Sequence, residues 1–245
     1  MRFILCDSYE EISQKAAEIV ASQIILKPDC VLGLATGSSP VGMYRELTQM
    51  NLDFSQVTTF NLDEYYPISP ENEQSYYYFM KEHLYSKVNL KPENIHIPNG
   101  ETEDVEAECI AYETAIVQKG GIDLQILGIG QNGHIGFNEP DATLNSVTHL
   151  TDLTESTIEA NSRFFDKAED VPRQALTMGI STILKSKKIV LLASGASKRN
   201  AVSELLDNEI QTSVPATMLK VHPDVVLICD KEAYGKDTAE ELNAL

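Results

Sequence analysis

The sequence predicts an α/β fold: a single domain built on a mostly parallel sheet with helices on both faces. Three observations lead there. Residues 122–129 (IDLQILGI) and 189–193 (IVLLA) are short runs without the alternation of a half-exposed strand, so both faces are buried. Amphipathic stretches separate such runs, the order that builds parallel strands through helical crossovers. The 245 residues hold no internal repeat, low-complexity tract or Pro/Gly-rich linker, so residues 1–245 read as one unit with a sizeable core.

The elements follow in order. Residues 2–5 read as a strand, and residues 9–26 as a helix with Ile12, Ala16, Ile19 and Val20 on one face. Residues 30–35 (CVLGLA) form a second strand; after TGSSP a helix runs over 41–50. A strand at 57–60 ends in NLDEY, and residues 72–88 form an aromatic-rich helix. An acidic-faced helix covers 103–119, and 122–129 is the best central strand, followed by GQNGHIGFNEP. A strand at 147–153, a helix at 156–165 and the end of a helix at 180–185 come next. The strand at 189–193, a helix at 198–206 and a last strand at 225–229 complete the pattern.

Net charge is −18, from 37 acidic against 19 basic side chains. Such a body repels nucleic acid and anionic membranes, because binding a polyanion needs clustered cations. It leaves room for a small anion held by a few local groups. No window reaches the roughly 18–20 apolar residues of a membrane span, and the start, MRFILCDSYEEIS, turns acidic too early for a signal peptide. Cys6, Cys30, Cys109 and Cys229 stand far apart, without the CxxC spacing of a zinc or redox pair. Buried thiols in a reducing cytoplasm are the expectation.

In open α/β sheets ligands collect beyond the carboxyl ends of the strands. Here the unusual residues fall there: TGSSP, NLDEY, GQNGHIGFNEP and SGASK each follow a different strand. Thr36, Gly37, Ser38 and Ser39 join a buried strand to a helix, with Pro40 suited to its first turn. Free N–H groups at such a helix start cradle a phosphate; an ordinary Ser-capped turn has the same letters. No Gly-Lys-Ser/Thr follows, so it is not a Walker A loop.

Gly128, Gly130 and Gly133 spell G-x-G-x-x-G, but HIGFNEP follows instead of the long helix a dinucleotide site requires. The glycines more naturally let backbone approach a ligand. Within that loop Asn132, His134 and Glu139 can converge, one group fixing an imidazole nitrogen while the other shuttles protons. No metal-ligand spacing involves His83, His96, His149 or His222, so no metal is expected. Asp63, beside Glu64, reads either as a turn residue or as a base whose proton affinity rises in a dry pocket. Arg163 and Lys198 are candidates to hold a phosphate, or solvated surface cations.

LATGSSP, TFNLDEY, GIGQNGHIGFNEP and NSRFF, in this order and spacing, resemble the glucosamine-6-phosphate deaminase family over essentially the whole chain. The resemblance implies a modified Rossmann-like sheet and a substrate, glucosamine 6-phosphate, that arrives as a closed ring. His134 would move a proton between the anomeric hydroxyl and the ring oxygen, oriented by Glu139 and Asn132. Asp63 would carry the C2 proton to C1, and water would release ammonia, leaving fructose 6-phosphate. Thr36, Gly37, Ser38, Ser39, Arg163 and Lys198 would hold the phosphate, and no metal or organic cofactor is required.

Two departures stand out. Many family members have aspartate where this chain has Asn132, and an amide cannot stabilise imidazolium by charge. Allosteric, hexameric members carry basic residues just past NEP, whereas residues 147–152 read VTHLTD. The missing cations and the short tail argue against that regulation and leave assembly open, with a monomer slightly favoured over a homo-oligomer. The nearest alternatives are a 6-phosphogluconolactonase, whose signature lacks FNEP, and an inactive sugar-phosphate-binding regulator, which has no need of Asp63, His134 and Glu139.

Overall fold

A computed structural model describes residues 1–162 and 171–235. Its strands form two sheets. The larger has seven strands, in the order β1 (Arg2–Cys6), β10 (Val225–Asp230), β9 (Ile189–Ala193), β6 (Leu124–Gly128), β2 (Val31–Leu34), β3 (Thr58–Asn61) and β5 (Ile95–His96). Every neighbouring pair in it is parallel. The central strands β2, β9 and β10 are buried along their whole length, as their unbroken apolar runs require. Close packing shows at Gly33, opposite Gln125 in the register, where a Cβ would lie 2.0 Å from the Gln125 Oε1.

Around this sheet pack α1 (Tyr9–Leu26), α2 (Ser38–Gln49), α3 (Tyr76–His83), α4 (Val105–Gln118), α6 (Ile180–Leu184), α7 (Arg199–Leu206) and α8 (Lys231–Tyr234). The helix at 9–26 and the strand at 189–193 match the sequence reading residue for residue. Two helices do not. The second starts at Ser38, not Val41, so Pro40 sits inside the first turn, where a missing N–H costs little. The third shrinks to eight residues: Ser75 caps its start by accepting from the Tyr78 N–H, 3.0 Å away, and at Leu84 the backbone leaves helical angles (φ −139°, ψ −58°).

The second sheet was not expected from the sequence. It is antiparallel, in the order β4 (Asp63–Tyr66), β8 (Gln174–Thr177), β7 (His149–Asp152), with α5 (Glu155–Ser162) following β7. A small apolar cluster, including Tyr65, Phe137, Leu153 and Ile158, belongs to it. Leu62 joins the sheets: its N–H donates to Leu34 O (2.9 Å) and its carbonyl accepts from the Met178 N–H (2.8 Å). NLDEY is therefore a strand-to-strand crossing, and Asp63 is the first residue past it.

At the opposite end of the large sheet, carboxylates take up cations. Asp123 accepts from Lys27 (2.7 Å), Lys187 (2.6 Å) and the Val31 N–H (2.8 Å). Asp224 pairs with Arg2 (2.6 Å) and Lys188 (2.5 Å). Among the described residues no helix is long and apolar enough to cross a membrane.

Candidate active site

TGSSP, NLDEY, GQNGHIGFNEP and SGASK leave the carboxyl ends of β2, β3, β6 and β9, which are contiguous in the sheet. They surround a cavity of about 620 Å³. Thr36, Gly37, Ser38, Ser39, Asp63, Asn132, His134 and Lys198 line it. Glu139 stands behind His134. Arg163 lies outside the described residues.

Gly37, at the head of α2, has φ +86°, a conformation that glycine adopts without strain, and no side chain caps the helix it opens. The backbone N–H groups at the start of α2 are thus left to a ligand, with the positive end of the helix dipole behind them. The Tyr9 hydroxyl pins this turn, donating to Ser38 O and accepting from the Gly42 N–H, both 2.8 Å. Across the cavity Asp230 fixes the SGASK turn through the Ser194 hydroxyl (2.6 Å) and the Gly195 N–H (2.9 Å), three residues before Lys198.

The loop after β6 folds back on itself, with the Gly130 N–H donating to His134 O at 2.9 Å. The His134 ring lies against Gly130, where a Cβ would come within 2.4 Å of it. His134 Nδ1 is 3.3 Å from Glu139 Oε2, which also accepts from the Asn132 amide at 2.7 Å. Asn132 Oδ1 in turn accepts from the His134 N–H at 3.2 Å. A carboxylate only accepts, so Nδ1 carries the proton and Nε2 is left to exchange one. Glu139 has a further donor on Oε1, the Thr157 hydroxyl at the start of α5. Burial alone would raise the Glu139 carboxyl, but the His134 contact and the Thr157 and Asn132 donors bring it down to about 2.

Asp63 is only 6% exposed. Burial first, and the neighbouring Glu64 second, push its carboxyl up to about 8. Gly136 (φ +59°) brings the histidine loop close: a Cβ there would lie 3.6 Å from Asp63 Oδ2 and 2.9 Å from Thr177 Oγ1. The arrangement thus offers a proton-shuttling imidazole, a dry carboxylate of high proton affinity and an anion cradle on one cavity. Thr157 was not a candidate from the sequence; its only local signal is a Thr-x-x-Thr helix start, with the Thr154 Oγ1 accepting from the Thr157 N–H. Tyr76 also lines the cavity, although the sequence marked it only as part of an aromatic-rich helix.

The model of the glucosamine-6-phosphate isomerase/6-phosphogluconolactonase family matches residues 7–227. A glucosamine-6-phosphate deaminase of Halothermothrix orenii is 60% identical over 237 residues, 95% of this chain and 98% of that protein. One of Thermoanaerobacter pseudethanolicus is 56% identical, covering 100% of this chain and 98% of its own length. Among solved structures, a monomeric glucosamine-6-phosphate deaminase superimposes with a TM-score of 0.94 at 48% identity, covering 96% of this chain and 99% of that one. A 6-phosphogluconolactonase of Thermotoga maritima shares the fold at a TM-score of 0.76 and 21% identity, covering 94% of this chain and 99% of its own. On these matches the chain belongs to the glucosamine-6-phosphate isomerase/6-phosphogluconolactonase family, and within it to the glucosamine-6-phosphate deaminases.

Proposed function

We propose that this chain converts glucosamine 6-phosphate to fructose 6-phosphate and ammonia. The observation that carries it is that Asp63 and His134 open into one cavity with the uncapped start of α2. The full-length relatives named as deaminases support the same substrate.

In this reading the phosphate sits at Thr36, Gly37, Ser38 and Ser39, with Lys198 and Arg163 supplying charge. Binding energy from this remote group positions the reacting carbons. His134, held by Glu139 and Asn132, passes a proton from the anomeric hydroxyl to the ring oxygen, and the ring opens to an aldehyde. The aldehyde acidifies the C2 hydrogen; Asp63 removes it and returns it to C1. Water adds at C2 and ammonia leaves. General acid–base steps of this kind contribute about 10²–10⁴-fold each.

Residues 1–245 are read as one domain, a reading supported by the backbone bonds Leu62 makes to both sheets. A monomer is proposed, supported by the monomeric relative of 48% identity. The buried free thiols of Cys6, Cys30 and Cys229 support a cytoplasmic location. Stoichiometric release of ammonia and fructose 6-phosphate from glucosamine 6-phosphate tests the activity. Turnover of 6-phosphogluconolactone alone would make the chain a lactonase instead.

A further inference from the structure

One buried acid has no part in the chemistry above. Glu64 follows Asp63 on β4, so its side chain points to the other face of the strand. It is 2% exposed. Its Oε1 accepts from the N–H groups of Tyr65 (2.9 Å) and Tyr76 (2.8 Å), and its Oε2 from that of Tyr77 (2.9 Å). Tyr76 and Tyr77 open α3, where N–H groups have no partner within the helix. The first turn of α3 is thus tied to the strand that carries Asp63. Tyr76 lines the cavity beside Asp63, and its ring stacks on Phe137 at 6.0 Å and 12°. Its hydroxyl lies near the side chains of Thr36 and Tyr65.

Resting on the deaminase reading, we propose that Glu64 is a positioning residue for the base: by holding the first turn of α3, it keeps Tyr76 as the wall that shields Asp63 from water.

A carboxylate suits this place because three N–H donors converge on it and both its oxygens accept. Glutamine would offer one oxygen and turn its NH₂ against a backbone N–H. Burial raises the Glu64 carboxyl to about 7, with the N–H groups of Tyr76, Tyr77 and Tyr65 opposing that rise and favouring its ionised form. The hydroxyls of Tyr76 on α3 and Tyr112 on α4 feel the Asp63 charge, and His134 and Lys198 share its cavity. Among the described residues no Lys, Arg or His forms an ion pair with either carboxylate. A dry carboxylate beside a fixed anion is a stronger base than a hydrated one, as removal of a proton from carbon demands.

Wild type, Glu64→Gln and Tyr76→Leu are compared in the ammonia assay from about pH 5 to about pH 9, with C2-proton exchange measured in deuterated water. Glu64→Gln is expected to lower kcat by about tenfold or more while KM stays within about twofold. The acid limb of kcat/KM should move to lower pH, because the neighbouring Glu64 charge is gone and because Asp63, once hydrated, ionises more readily; only the second cause is shared with Tyr76→Leu. Tyr76→Leu, which keeps the bonds from Glu64 to the α3 backbone, should shift the limb in the same direction. A Glu64→Gln protein that melts earlier but keeps the wild-type kcat and limb is merely missing a helix cap, and overturns the proposal. If Glu64→Gln does not fold, Tyr76→Leu decides: a lowered limb supports the proposal, an unmoved one overturns it. Inactive wild-type protein overturns the deaminase reading and this inference together, whereas active wild type with unshifted variants overturns the inference alone.

Discussion

The Thr157 hydroxyl donates to Oε1 of Glu139, tying the start of α5 to the carboxylate that holds His134. The other oxygen, Oε2, is already taken by Asn132 and His134, so Thr157 is the donor that settles which way the carboxylate faces. Thr157→Val keeps the shape and removes the donor. A hydrogen bond to a charged group contributes about 1.5–3 kcal/mol, so kcat/KM should fall by about tenfold or more. The Glu139 carboxyl should also rise from about 2. Steady-state kinetics check this, with Thr157→Ser expected to restore activity; unchanged kcat/KM for Thr157→Val would leave Thr157 only a helix-start residue.

Gly130→Ala should act as a catalytic lesion without touching a catalytic atom. The added Cβ would meet the His134 ring at 2.4 Å, and the ring must swing away from Glu139. We expect kcat to fall by about 10²-fold or more, the usual scale for losing an acid–base group. Inhibition by inorganic phosphate should persist, because the start of α2 is built from a different strand end. Loss of phosphate binding together with kcat would show that the loop had collapsed rather than that His134 had moved.

How legible this was depends on where each burial comes from. The strands at 122–129 and 189–193 were readable because their two-sided burial is written into continuous apolar runs. The stretch DEYY was not, because Asp63 and Glu64 are buried by the antiparallel sheet and by α3, neither of which leaves a local mark. The four strand-end motifs were readable as site residues from the general behaviour of open α/β sheets. Their adjacency depends on the strand order β9-β6-β2-β3, which no periodicity encodes. Thr157 was invisible for the same reason: its partner Glu139 lies 18 residues away, and only the fold joins them.

Lys198 tests the phosphate assignment. It lines the cavity just past the turn that Asp230 fixes, in a chain whose net charge is −18. Lys198→Ala should raise KM for glucosamine 6-phosphate by about tenfold or more, with kcat changed by less than about threefold, since the phosphate is bound alike before and during reaction. The competitive inhibition constant for inorganic phosphate should rise in parallel. A fall in kcat at unchanged KM would place Lys198 in the chemistry and not in the cradle.

Asp63→Asn should abolish C2-proton exchange and at the same time stabilise the fold. The carboxyl titrates at about 8 in the folded chain against 3.8 for the ordinary group. Between these values the folded chain keeps a proton that the unfolded chain has released, so stability falls as pH rises through that window. The proton-linked stability is fully present only below about pH 4 and is lost by about pH 8. Asparagine carries no such proton. The melting temperature of Asp63→Asn should therefore exceed that of wild type by a margin that grows from about pH 4 to about pH 8 and then levels off. Circular-dichroism melts across that range measure it. A margin independent of pH would mean that the wild-type carboxyl titrates normally, and would remove the physical basis for Asp63 as the base.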